Sequence, residues 1–251
     1  NGSPIAGETM EGLIRQVLRC PNQPAMVLLL MMRQDGGSAQ EEHAGVGRHY
    51  GLPMISFRDY VMPDIESGRL SLDEILADEV HPNDYGHQLA ADLVTSFLDE
   101  LLLDLPPESR LLDPPVREPL IGDLFEQTAL LNADAISPVS RSGWRIGHAE
   151  PFGACWECKA EGSELEFRIE GDAVSLAHYR VREKMGAAEA SIDGGPPVKL
   201  DGWFDADWGG YSHWTLVARG LGPGEHILRV KLVREGFFQL QSVMIAGTGR
   251  V

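Results

Sequence analysis

A chain of 251 residues is long enough for one large domain or two ordinary ones. Its formal charge of −17, from 21 basic and 38 acidic side chains, argues against nucleic acid and anionic membrane surfaces as partners, since both call for a basic patch. The longest apolar run, Ala25 to Met32, is too short to cross a bilayer and reads as a buried strand.

Along the first part of the chain, helix and strand patterns alternate. Met10, Leu13, Ile14, Val17 and Leu18 recur at helical spacing, and Pro21 follows the expected helix end. The run Ala25–Met32 suits a parallel strand covered on both faces. Ser38 and Glu41 have capping-box spacing and predict a helix to Tyr50, closed by Gly51. Pro53 to Phe57 reads as a second short strand. Ser71 with Glu74 predicts another capping box and a short helix to Ala77. Asn83 is a good N-cap for a long helix from Asp84 to Leu103, with Leu89, Leu93, Phe97 and Leu101 on one stripe. Such alternation implies a parallel sheet.

Residues 106–140 read as a connector, interrupted by Pro106-Pro107 and Pro114-Pro115. Beyond it the periodicity changes to two. Glu164–Ile169 and His226–Val233 alternate as half-buried strands do, Phe237–Ile245 adds another, and Asp193-Gly194-Gly195 and Gly222-Pro223-Gly224 mark turns. Residues 141–251 therefore read as an antiparallel, all-β sandwich of jelly-roll type.

Three cysteines provide no disulfide framework. Cys155 and Cys158 form a Cys-x-x-Cys around Trp156, for which a redox or zinc role stands against plain packing in a β-rich segment. No second Cys-x-x-Cys accompanies it.

The stretch most suggestive of chemistry is Asp78-Glu79-Val80-His81-Pro82-Asn83. Pro82 favours an extended backbone at His81, and the Asn83 cap places the histidine on a loop just before a helix. Asp78 is close enough to turn back onto Nδ1, which would fix the tautomer and leave Nε2 to act as a general base. Two surface loop residues would satisfy the same short pattern.

With Gly86-His87 and the long helix behind it, this string resembles the last motif of the SGNH (GDSL-type) hydrolases. The order of elements before it is also similar, as is the stretch from Gly47 to Pro53. The resemblance covers residues 1–105 and implies an α/β, flavodoxin-like three-layer domain that lacks its N-terminal part. It implies an ester hydrolase working by serine acyl transfer, with His81 activating the serine and Asp78 orienting His81. No metal and no organic cofactor is implied.

The family's Gly-Asp-Ser strand, and the glycine and asparagine that complete its oxyanion hole, are not assignable in this sequence, where Asn1-Gly2-Ser3-Pro4 stands too near the end to carry the asparagine motif. Gly122-Asp123-Leu124 lacks the serine, and Gly171-Asp172-Ala173-Val174-Ser175 lies in the β region. The expectation is a longer polypeptide whose first half carries the nucleophile and is the natural partner of this chain.

All five tryptophans fall in the second half. Trp203, Trp208, Tyr211 and Trp214 lie in a segment dense in acids and glycines, a composition that suits sugar stacking as well as it suits core filling. The segment belongs to a region that resembles the jelly-roll modules attached to some carbohydrate esterases. An acetylated carbohydrate, of acetyl-xylan type, is then the expected substrate. The alternative is a non-catalytic remnant that binds glycans or assembles as a homo-oligomer.

Overall fold

The computed structural model describes residues 5–22, 24–104, 117–206 and 209–247. The chain divides into two compact units, the first ending at Asp123 and the second beginning at Leu124.

In the first unit, α1 (Ala6–Leu18) precedes β1 (Leu28–Leu30), α2 (Gln40–Tyr50) and β2 (Met54–Ser56). Then come α3 (Phe57–Glu66), α4 (Leu72–Ile75) and α5 (Asp84–Asp104). β1 and β2 pair in parallel, Leu29 opposite Ile55. The apolar residues of α1 and α2 meet one face of β1: Ile14, Ala44 and Val46 pack with Leu28 and Leu30. A second core joins Met32, Phe57, Val61, Ile75 and Ala90 from the helices that follow.

Two expectations are corrected here. β1 is not covered on both faces: Leu28 and Leu30 are buried, whereas Leu29 between them is 39% exposed. With only two strands and short helices around them, nothing among the described residues seals the second face at Leu29. Nor does the capping box at Ser38 and Glu41 form. The Ser38 oxygen accepts from the Gln40 N–H at 3.2 Å rather than from Glu41, while its hydroxyl donates to the Met31 carbonyl, and the N-cap residue of α2 is Ala39. Its other end behaves as expected, with Gly51 left-handed at φ 67°. The Ser71–Glu74 capping box is present. The stripe on α5 is only half used, because Leu89 and Leu93 pack on the core while Leu101 is exposed.

The segment read as a connector is not wholly irregular. Leu120, Ile121 and Gly122 each donate a backbone N–H to the buried Glu11 carboxylate on α1. Farther on, β3 (Thr128–Leu131) and the first residue of β4 (Ser140–Ser142) already belong to the second unit's sheets.

That unit is a sandwich of antiparallel strands. Its remaining strands are β5 (Arg145–Ala149), β6 (Gly153–Cys158), β7 (Glu164–Glu170), β8 (Ala173–Arg180) and β9 (Ala187–Ile192). They are followed by β10 (Val198–Asp201), β11 (Tyr211–Arg219), β12 (Glu225–Arg234) and β13 (Phe238–Ala246). One sheet runs β10-β9-β12-β7-β4 and the other β11-β8-β13-β6-β5, with β3 beside β13. Alternate residues fill the space between: Leu165, Phe167 and Ile169 from β7, and Leu228, Val230 and Leu232 from β12, meet Trp156, Leu176 and Leu240.

Candidate functional site

The loop from Leu76 to Asn83 is closed on itself. Leu76 and Pro82 form a β-bridge, the Ala77 N–H donates to the His81 carbonyl, and the Asn83 N–H donates to that of Ile75. Asn83 then starts α5: its Oδ1 accepts from the Gly86 N–H at 3.0 Å, while its Nδ2 donates to the Glu74 carbonyl at 2.9 Å. Gly86 is required by this approach, since a Cβ there would collide with the Ile75 carbonyl. The loop is also tied to the chain leaving β1, because the Gln34 N–H donates to the Glu79 carbonyl. It thus stands beyond the carboxyl end of a parallel strand, where open α/β sheets place their ligands.

Within this frame Asp78 turns back as the sequence suggested. Its Oδ1 accepts from the backbone N–H groups of Val80 and His81, both at 2.8 Å, and the His81 Nδ1 lies 2.8 Å from Oδ2. Those N–H groups, followed by the imidazole, hold the Asp78 carboxyl below its ordinary range. An ionised Asp78 makes Nδ1 the protonated ring nitrogen, which directs the ring's basicity to Nε2. Such a pair can take a proton from a hydroxyl and return it to a leaving group.

The four aromatic candidates of the second unit do not form one platform. Tyr211 and Trp203 are joined through Arg180, which donates to the Tyr211 hydroxyl at 3.2 Å and to the Trp203 carbonyl at 3.0 Å. Trp214, three residues after Tyr211 on β11, projects from the opposite face and packs edge-on against Phe152. Trp208 lies outside the described residues. Arg180, His178 and His213 had drawn no notice in the sequence, since an isolated arginine or histidine on an alternating strand carries no motif.

The Cys-x-x-Cys also resolves. A separation of three along β6 puts Cys155 and Cys158 on opposite faces, and both thiols are free. Burial pushes Cys158 up to about 12, and burial together with Glu157 pushes Cys155 up to about 11, so both are held as inert thiols. Plain packing is the reading that fits.

No protein-family model matches this chain, and no curated protein does. Solved structures do. The crystal structure of a two-domain esterase active on acetylated mannans is 27% identical, with a TM-score of 0.88 over 100% of this chain and 71% of that one. The structure of such an esterase co-crystallised with mannopentaose is 26% identical, with a TM-score of 0.86 over 98% of this chain and 68% of the other. The chain is therefore similar over its whole length to two-domain carbohydrate esterases, one part helical with a small parallel sheet and the other a β-sandwich.

Proposed function

We propose that this chain is part of a carbohydrate esterase of the SGNH type that removes acyl groups from a polysaccharide by serine acyl transfer. His81 is the general base and then the general acid, and Asp78 orients it. The serine and the oxyanion donors come from polypeptide outside these 251 residues. The observation that carries the reading is the Asp78–His81 contact at 2.8 Å, on a braced loop beyond the end of β1. The similarity to esterases active on acetylated mannans supports an acetylated hemicellulose as substrate, mannan or xylan. The uncovered face at Leu29 supports a missing layer, because an exposed strand face of this kind is normally covered.

In the mechanism, attack of the serine on the ester carbonyl passes its proton to His81 Nε2. The imidazolium so formed is stabilised by Asp78, and the proton returns to the departing sugar oxygen. Water then releases the acyl group by the same route.

The test is ester hydrolysis by the natural polypeptide that contains this chain. His81→Ala is expected to lower kcat/KM on acetylated mannan or xylan oligosaccharides by at least about 10^4-fold. Unchanged turnover in a folded His81→Ala protein would leave the second reading, a glycan-binding module without catalysis.

A further inference from the structure

We propose that the Arg180 cluster at the end of the sandwich is a binding site for a carboxylate-bearing sugar, a hexuronate residue, with Arg180 holding the carboxylate and Trp203 offering the stacking face. The proposal rests on the carbohydrate-binding reading of this segment and is independent of the esterase chemistry.

Arg180 is half-buried, unlike Arg141, Lys159 and Lys184, the exposed cations of this unit that also have no ion pair among the described residues. In a chain with 38 acidic and 21 basic side chains, cations readily find carboxylates. In the same unit Arg145 meets Glu157, Arg182 meets Asp205, Arg229 meets Glu166, and Lys199 and Arg234 share Asp201. Arg180 has no carboxylate within ion-pair distance among the described residues. Its partners are a phenol and a peptide carbonyl, and its Nε is buried with no hydrogen-bond partner. The guanidinium carbon stands 5.7 Å from the Phe204 ring centre and 6.0 Å from that of Tyr211. A cation partly removed from water without a counterion is costly, and a bound anion relieves that cost.

The surroundings reinforce the sign. His213 lies 3.3 Å from the Tyr211 hydroxyl through Nδ1, and its ring meets that of His178 edge-on at 5.4 Å. Burial, and then neighbouring charge including Arg180, keeps both imidazoles neutral, His178 down to about 3. The Asp201 carboxylate, at the end of β10, is committed to Lys199 and Arg234. Arg180 is thus the one uncompensated charge of the cluster among the described residues. Trp203, whose carbonyl it holds, is 42% exposed. A guanidinium that holds the backbone of an exposed tryptophan matches a sugar ring that carries a carboxylate.

The experiment is calorimetric titration of the chain with methyl glucuronoside, with its uronamide, and with methyl glucoside. The uronamide and glucoside remove the ligand's charge without altering the protein. The proposal expects the glucuronoside to bind at least about tenfold more tightly than either, with affinity falling as salt rises. Arg180→Gln is expected to abolish that preference. Equal binding of all three sugars would overturn the carboxylate assignment while leaving carbohydrate binding intact. Binding of none would overturn both.

Discussion

The two units finish their cores differently. In the sandwich, residues from both sheets close one continuous interior, and Phe167, Leu176, Leu228 and Leu240 are each fully buried. The first unit instead has two separate cores around a two-stranded sheet, with Leu29 open on one face and Leu98, Leu101 and Leu102 exposed along α5. Yet the first unit carries the more pointed chemistry, the braced Asp78–His81 pair. The difference teaches that a loop needs only local bracing to take its geometry, whereas a sheet needs its neighbours to be sealed.

The widest effect that sharpens this contrast is within β1 itself. Leu30→Ala removes a side chain buried against α1 and α2 and is expected to cost about 2–5 kcal/mol in denaturant unfolding of the first unit. Leu29→Ser, one residue away, is expected to change stability by no more than about 0.5 kcal/mol in this chain. In the natural polypeptide the same Leu29→Ser should become costly, as a covering layer would bury it. Equal costs for both substitutions in this chain would break the comparison, since they would mean that β1 is sealed on both sides.

A smaller effect is expected at Glu11, which braces residues far along the chain. Its carboxylate accepts from three consecutive backbone N–H groups, Leu120 to Gly122, and from the Tyr50 hydroxyl at 2.7 Å. Glu11→Gln should destabilise the first unit by about 2 kcal/mol at neutral pH, measured by the same unfolding. Burial alone would raise the Glu11 pKa. The N–H groups of Gly122 and Leu120, with Tyr50 and Ile121, outweigh it and hold the value below the ordinary 4.5. A depressed carboxyl contributes its stability above pH 4.5 and loses it as pH falls through the folded value. The Gln variant should therefore show a flatter acid limb, and an unchanged limb would remove Glu11 from that role.

The same contrast explains what could be read from the sequence. The Asp78–His81 geometry was legible because almost every group that fixes it lies between Glu74 and Gly86. Strands β7, β12 and β13 were legible from their alternation. The helix α3 was not, because Pro63 sits within it and its start at Phe57 looked like the end of a strand. The Ser38–Glu41 spacing misled because the serine, held by its bond to the Met31 carbonyl, accepts from the Gln40 N–H and leaves Ala39 as the N-cap, a choice that depends on where β1 ends. Leu29 looked like a core residue because composition records apolarity and not whether a neighbouring layer is present. The grip of Glu11 on residues more than a hundred positions away, and the phenol and peptide carbonyl that Arg180 holds, are tertiary facts with no local signature.

The central claim is that His81 serves a serine contributed from outside these residues. Intact-mass and peptide mass spectrometry of the natural polypeptide, after treatment with a fluorophosphonate, tests it most directly. The account predicts a single adduct on a serine outside this sequence, formed far more slowly in the His81→Ala protein. No adduct, an adduct on a serine of this chain, or labelling indifferent to His81→Ala would contradict it.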